Sequence, residues 1–287
     1  MSKTSYTAVG FIAVLLWALL ALFTVGSAPV PPFLLNALCF AIGGGIGVIW
    51  LLATGGLSQL RRVPMRVYLI GTAGLFGYHF LYFSALRMAP AAEAGLIAYL
   101  WPLLIVLFSG LLPGEHLKRG HIVGGLIGFA GAVLIVAQGV TGFNADALPG
   151  YGLAFLCALT WSGYSVVSRS FGAVPTASVV VFCLATAILS GVAHVALEDT
   201  ILPTTTLGWL SVIGLGVGPV GIAFFVWDVG VKKGDIQLLG VASYAAPVLS
   251  TLALVGAGIA APTWTVLLAA ALITGGAALA AQASRRP

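Results

Sequence analysis

The side chains best suited to act on a ligand are aromatic rings with polar tips, set at helical spacing inside long apolar runs. Tyr78 and Tyr82 lie one turn apart, with Gly71 and Gly74 along the same side and His79 one step round. Small residues at one level admit a neighbouring helix and rings at the next need space, so this stretch reads as a cavity wall. Tyr99 and Trp101 follow, and Trp17 and Trp161 form a second aromatic pair, with Ser165 one turn beyond Trp161. Such groups recognise a flat apolar ring by stacking and an ammonium by its attraction to a π-face. A plainer reading remains for each: the tyrosines as packing or interfacial-belt residues, and His79 as a satisfied core histidine rather than a functional mid-span group.

Covalent chemistry has no comparable support. There is no H-E-x-x-H and no G-x-x-x-x-G-K-[ST], and Leu107-Phe108-Ser109-Gly110 lacks the first glycine of a G-x-S-G. Cys39, Cys157 and Cys183 are far apart without metal-ligand spacing, and read as small buried hydrophobes. The expectation is a protein without catalytic residues, metal or cofactor.

These rings need helices long enough to carry them, and the composition requires those helices to sit in a bilayer. Of 287 residues, 60% are hydrophobic and 7% charged, against roughly 25% charged in soluble domains. No charge falls between Lys3 and Arg61, so even the connections are short and weakly polar. Continuous apolar runs exclude a barrel. Glycine, proline and charge divide the chain into ten predicted spans, near 5–25, 33–53, 66–87, 91–112, 118–138, 150–170, 175–196, 207–230, 235–257 and 263–283. The apolar stretch 8–25 is longer than a signal-peptide core and is expected to be a retained first helix.

Placing both termini in the cytoplasm puts Lys3, Arg61, Arg62, Arg66, Lys118, Arg119, Arg169, Lys232, Lys233, Arg285 and Arg286 inside and only Arg87 outside. The net charge of +5 is thus explained by topology, without a nucleic-acid partner. An internal repeat accompanies this order. The pattern Gly-x-x-x-Tyr-x-x-Pro occurs as Gly95, Tyr99, Pro102 and again as Gly240, Tyr244, Pro247, while Leu16-Trp17-Ala18 matches Thr160-Trp161-Ser162. Two five-helix halves are implied, 1–139 and 150–287, joined by 140–149, and an odd helix number turns the second half upside down.

The aligned tryptophans, the repeated Gly-x-x-x-Tyr-x-x-Pro and the Pro113-Gly114-Glu115 end of the fourth span resemble the drug/metabolite transporter superfamily of EamA type. Within it, Gly77-Tyr78-His79-Phe80-Leu81-Tyr82 and Ala98-Tyr99-Leu100-Trp101-Pro102 resemble the YddG-like aromatic amino-acid exporters. The resemblance implies an all-α membrane protein with helices one to four and six to nine around a central cavity. Glu115 has no acidic counterpart near Ala260, where the pattern is degenerate.

Together these features imply an inner-membrane transporter exporting small amphiphilic metabolites, above all aromatic amino acids, by alternating access. Its substrate residues are expected to be Trp17, Tyr78, His79, Tyr82, Tyr99, Trp101, Trp161, Ser243 and Tyr244. Pro102 and Pro247 are candidate flexing points. On a regular helix Trp101 points away from Tyr99, so both cannot face one wall. Ser165, Trp227 and Asp228 are candidates for the cavity or a gate, with Trp227 inward and Asp228 near cytoplasmic water beside Lys232. The glycine rows at 214, 218 and 221 and at 120, 124 and 128 read as helix contacts, the latter alternatively as a dimer face. No deep basic residue offers an anion clamp, and no mid-membrane carboxylate pair supports proton antiport. Facilitated diffusion is favoured. The rivals are an exporter of lipophilic cations and a membrane protein that transports nothing; a monomer is expected, with a homodimer as the alternative.

Overall fold

The computed structural model describes residues 1–261 and 263–285, which leaves Arg286 outside the described residues. Among the described residues, ten helices are long and apolar enough to cross a membrane: α1 Lys3–Gly26, α2 Pro32–Thr54, α3 Met65–Met88, α4 Ala91–Ser109, α5 Arg119–Gly139, α6 Ala145–Ser170, α7 Ser178–Leu197, α8 Thr206–Lys233, α9 Ile236–Gly256 and α10 Trp264–Arg285. Among the described residues there is no strand. The protein is an all-α, multi-pass membrane protein. Several boundaries differ from expectation by a few residues: α4 ends at Ser109, α7 begins at Ser178, and regular helix in α6 already begins at Leu148. Pro149 sits in its first turn, where a missing N–H costs nothing.

Four spans are interrupted near mid-depth, and three breaks follow from proline. Pro102 lacks the N–H that would bond Ala98 and crowds that carbonyl, and α4 turns at Tyr99 and Leu100 before resuming at Trp101. Pro247 stands in the same relation to Ser243, and α9 breaks between Ala242 and Ala245. In α8, Pro219 lies in a π-helical segment, Gly218–Ile222. The fourth break separates the two pieces of α1 after Trp17.

Packing follows the small residues. α5 runs along α10, where a Cβ on Gly124 would lie 2.5 Å from the Gly276 carbonyl oxygen. Gly120 faces Ala283 and Gly128 faces Tyr244, so the α5 glycine row is used within the chain. α1 runs along α8 at Gly10 and Gly230, and α3 runs along α6 at Gly74 and Tyr164. Gly71 is covered by the Phe182 ring of α7. Gly214 meets Phe23 and Gly221 meets Gly43, which makes the α8 row a helix contact. With these faces consumed by close approach, the aromatic levels are left to enclose space.

Candidate functional site

Three of the interrupted helices meet the continuous α6 in a tryptophan layer. Trp17 of α1, Trp101 of α4, Trp161 of α6 and Trp227 of α8 all touch one another, with ring centroids 5.1 to 6.3 Å apart in every pairing. Pairs of this kind contribute about 0.5–1.5 kcal/mol each beyond area burial, which makes the layer a firm floor. A break and the continuous α6 each supply an anchor. The carbonyl of Pro219, in the π-segment, accepts from Trp17 Nε1 at 3.1 Å, and Ser165 Oγ accepts from Trp227 Nε1 at 3.2 Å.

Above this floor lies a cavity of about 660 Å3, within the usual range for small-molecule sites. It opens at the end that carries the α1–α2 loop, whose exposed Ala28 and Pro29 line its mouth with Pro32 at the start of α2. Seven of the nine expected substrate residues line it: Trp17, Tyr78, His79, Tyr82, Tyr99, Trp101 and Trp161. The turn at Tyr99 and Leu100 explains how Tyr99 and Trp101 share one cavity, because between them the chain departs from regular helical rotation. Tyr78 packs on Trp161 at 5.6 Å and stacks on Tyr82 at 6.2 Å. His79 meets Phe40 and Phe224 edge-on.

Polar atoms are few and specifically disposed. The Leu75 carbonyl can only accept, so at 2.7 Å it places the proton of His79 on Nδ1 and leaves Nε2 as an acceptor in the neutral ring. Among the described residues, the indole N–H groups of Trp101 and Trp161 and the hydroxyls of Tyr78, Tyr82 and Tyr99 have no protein partner, and all five residues line the cavity. Among the described residues, no Asp, Glu, Lys or Arg lines it. A guest therefore meets π-faces, free hydroxyl and indole donors and a few neutral acceptors.

Several expected residues lie elsewhere. Tyr244 is fully buried beside α5, and its hydroxyl accepts from Leu103 N at 3.0 Å. That N–H is the one a continuous α4 would send to Tyr99, so the break in α4 releases it to α9. Ser243 is also fully buried, its hydroxyl donating to the Leu239 carbonyl at 2.7 Å. Pro102 and Pro247 stand behind the wall they interrupt. Trp227, a member of the floor, and Ser165, which holds it, are buried and do not line the cavity. Asp228 does stand beside Lys232, at 2.8 Å, but it is 1% exposed instead of near water. Thr176 Oγ1 at 2.7 Å and Ser168 Oγ at 3.4 Å complete its surroundings, because packing of α6 and the α6–α7 turn over α8 excludes solvent.

This pair belongs to a polar seal at the closed end of the cavity. Arg169, at the end of α6, pairs with Glu115 after α4 and donates to the carbonyls of Val231 and Gly234 at 2.8 and 2.9 Å. Gln237 of α9 donates to the other Glu115 oxygen at 3.2 Å. Four helix ends are thereby tied beneath the tryptophans. At the open end the corresponding polar cluster stands beside the mouth: Glu198 accepts from Phe33 N and Leu34 N at the start of α2, from Arg87 at 2.9 Å and from His194 at 3.0 Å. A carboxylate suits that helix N-terminus, but residues so distant in sequence carry no spacing signal. Asn36, Phe83 and Phe224 also line the cavity without having been singled out, as does Cys39, expected as a small buried hydrophobe and 1% exposed. Asn36 did leave a trace, as the one amide in the apolar run 33–53.

Known proteins share this architecture. The EamA-like transporter family matches residues 4–137 and 148–282. The aromatic amino acid exporter YddG of Ancylobacter novellus is 56% identical over 289 residues, with all of both chains covered. The YddG exporter of Escherichia coli is 27% identical, again over the whole of both chains. A crystal structure 56% identical in sequence superposes with a TM-score of 0.94 over 99% of this chain and all of the other. Two matched stretches and full-length similarity agree with the ten-helix cavity: the chain belongs to the EamA-like transporter family.

Proposed function

We propose that this transporter exports aromatic amino acids across the inner membrane by facilitated diffusion. The observation that carries the reading is the cavity itself, floored by tryptophan, walled by tyrosine and histidine, and free of charged lining residues. An aromatic side chain gains stacking and apolar contact against such a floor. A zwitterionic head carries no net charge and needs no ionic clamp. A phosphorylated cargo would lack its Arg or Lys partner, and a lipophilic cation its carboxylate. The names of the full-length relatives point the same way.

Alternating access follows from a cavity open at one end and sealed at the other. Release of the Glu115–Arg169 seal opens one end while the mouth closes, with Pro102 and Pro247 as flexing points in α4 and α9. The two halves, 1–139 and 150–287, are related upside down in this scheme. It is supported by exchanged packing, since α1 lies along α8 as α6 lies along α3. Both termini face the cytoplasm, in keeping with the basic residues at that end.

Vesicles holding the purified protein test the reading directly. Uptake of labelled phenylalanine is expected, unchanged by an imposed proton gradient, with none of a phosphorylated sugar. Uptake of a lipophilic cation without phenylalanine would overturn it, and acceleration by a proton gradient would overturn the uncoupled mechanism.

A further inference from the structure

One polar group on the cavity wall is oriented from behind by a buried partner. Asn36 of α2 lines the cavity and is 5% exposed. Its Nδ2 donates at 2.7 Å to Oγ of Ser190 on α7, which is fully buried. The amide oxygen Oδ1 has no partner among the described residues and is open to the cavity. In this arrangement one of the two Asn36 N–H donors is engaged by Ser190 and the amide oxygen is the group left as an acceptor, whereas the tyrosine hydroxyls can donate or accept and the indoles only donate.

We propose that Asn36, held by Ser190, receives the ammonium of an amino-acid substrate on Oδ1. This rests on the reading of the cargo as an aromatic amino acid. An ammonium offers three donors and no acceptor, and no carboxylate lines the cavity to meet it. Depth agrees with the assignment. Phe40 lies one turn, about 6 Å, below Asn36, and stacks on Phe224 at 5.3 Å, which in turn meets Trp17 and Trp161. A ring seated on the tryptophans thus places its polar head one level towards the mouth, at Asn36. Phe40 also touches the His79 ring at 5.1 Å, so Nε2 of His79 lies on a neighbouring level. The free indole and tyrosine donors are left for the carboxylate. Asn36 is then a specificity residue and Ser190 a positioning residue.

The test is competition against labelled phenylalanine uptake in reconstituted vesicles by two unlabelled analogues. 3-Phenylpropionate lacks the ammonium and phenylalaninol lacks the carboxylate. Wild-type protein is expected to prefer phenylalanine to 3-phenylpropionate by about tenfold or more, the contribution of one hydrogen bond to a charged group. Asn36→Leu should collapse that preference towards unity while leaving the preference over phenylalaninol intact. Asn36→Asp, nearly isosteric, should keep it and strengthen competition by phenylalaninol. Ser190→Ala should weaken the preference and Ser190→Thr restore it, a pattern that loss of packing alone would not produce. An unchanged preference in Asn36→Leu overturns the assignment, as does selective loss of the preference over phenylalaninol, which would put the amide nitrogen in the cavity. Wild-type vesicles that take up no phenylalanine would instead overturn the cargo reading.

Discussion

The two copies of Gly-x-x-x-Tyr-x-x-Pro share their local geometry and differ in their surroundings. Each interrupts its helix just before the proline. In α4 the copy faces open space: Gly95 lines the cavity, a Cβ there would meet nothing closer than 3.8 Å, and Tyr99 has a free hydroxyl. In α9 the same face is packed. A Cβ on Gly240 would lie 2.9 Å from Val106 and 3.1 Å from the Pro102 carbonyl, and Tyr244 bonds Leu103 N. One motif therefore encodes a break twice, and its neighbours decide which break lines a cavity and which braces the other. A cavity open at one end only leaves matched residues in unmatched environments.

The largest expected effect tests the closed end. Lys232→Ala leaves Asp228 buried without its cation, and should lower stability by about 3–5 kcal/mol in unfolding measurements on detergent-solubilised protein. Replacing both, as Asp228→Leu with Lys232→Met, should recover most of that loss. A small effect of the single change would mean that water reaches Asp228. Gly240→Ala comes next, with an overpacking cost of about 1–3 kcal/mol, while Gly95→Ala stays within about 0.5 kcal/mol of wild type. Equal costs at the two glycines would erase the contrast between the breaks.

Smaller effects sharpen it. Tyr244→Phe forfeits the bond to Leu103 N and should cost about 1 kcal/mol. Tyr99→Phe should leave the unfolding transition in place and change phenylalanine uptake instead, so a stability loss there would show that Tyr99 also braces a helix. Arg87→Ala, at the mouth, removes the exposed cation from the buried Glu198, which keeps its bonds to Phe33 N, Leu34 N and His194, and should cost about 1 kcal/mol, measured in the same unfolding assay. A larger loss would make the mouth as tightly tied as the closed end.

Much of the site was readable because helical faces repeat at a known period. Gly71, Gly74, Tyr78 and Tyr82 announced a contact level and an open level on α3, and the structure spends them that way. Trp17 and Trp161 were paired by the repeat and meet at 5.9 Å. The same symmetry misplaced Tyr244 and Ser243, because equivalence in sequence does not guarantee equivalent neighbours. Regular helical rotation also wrongly separated Tyr99 from Trp101, since it takes no account of the turn between them. Asn36 drew no attention in a search weighted towards rings and charges.

By itself the sequence determined the solvent, the ten crossings, the breakpoints at proline and a binding chemistry without fixed charge. Each is a property of one segment: its hydropathy, its missing N–H or its side-chain types. Which face of each segment encloses space was decided only by tertiary packing. The Trp17 indole is held by a carbonyl 202 residues away, and the Asn36 amide by a hydroxyl 154 residues away. Cavity, floor and seal arise where distant helices either touch or fail to touch, and local periodicity carries no record of that distance.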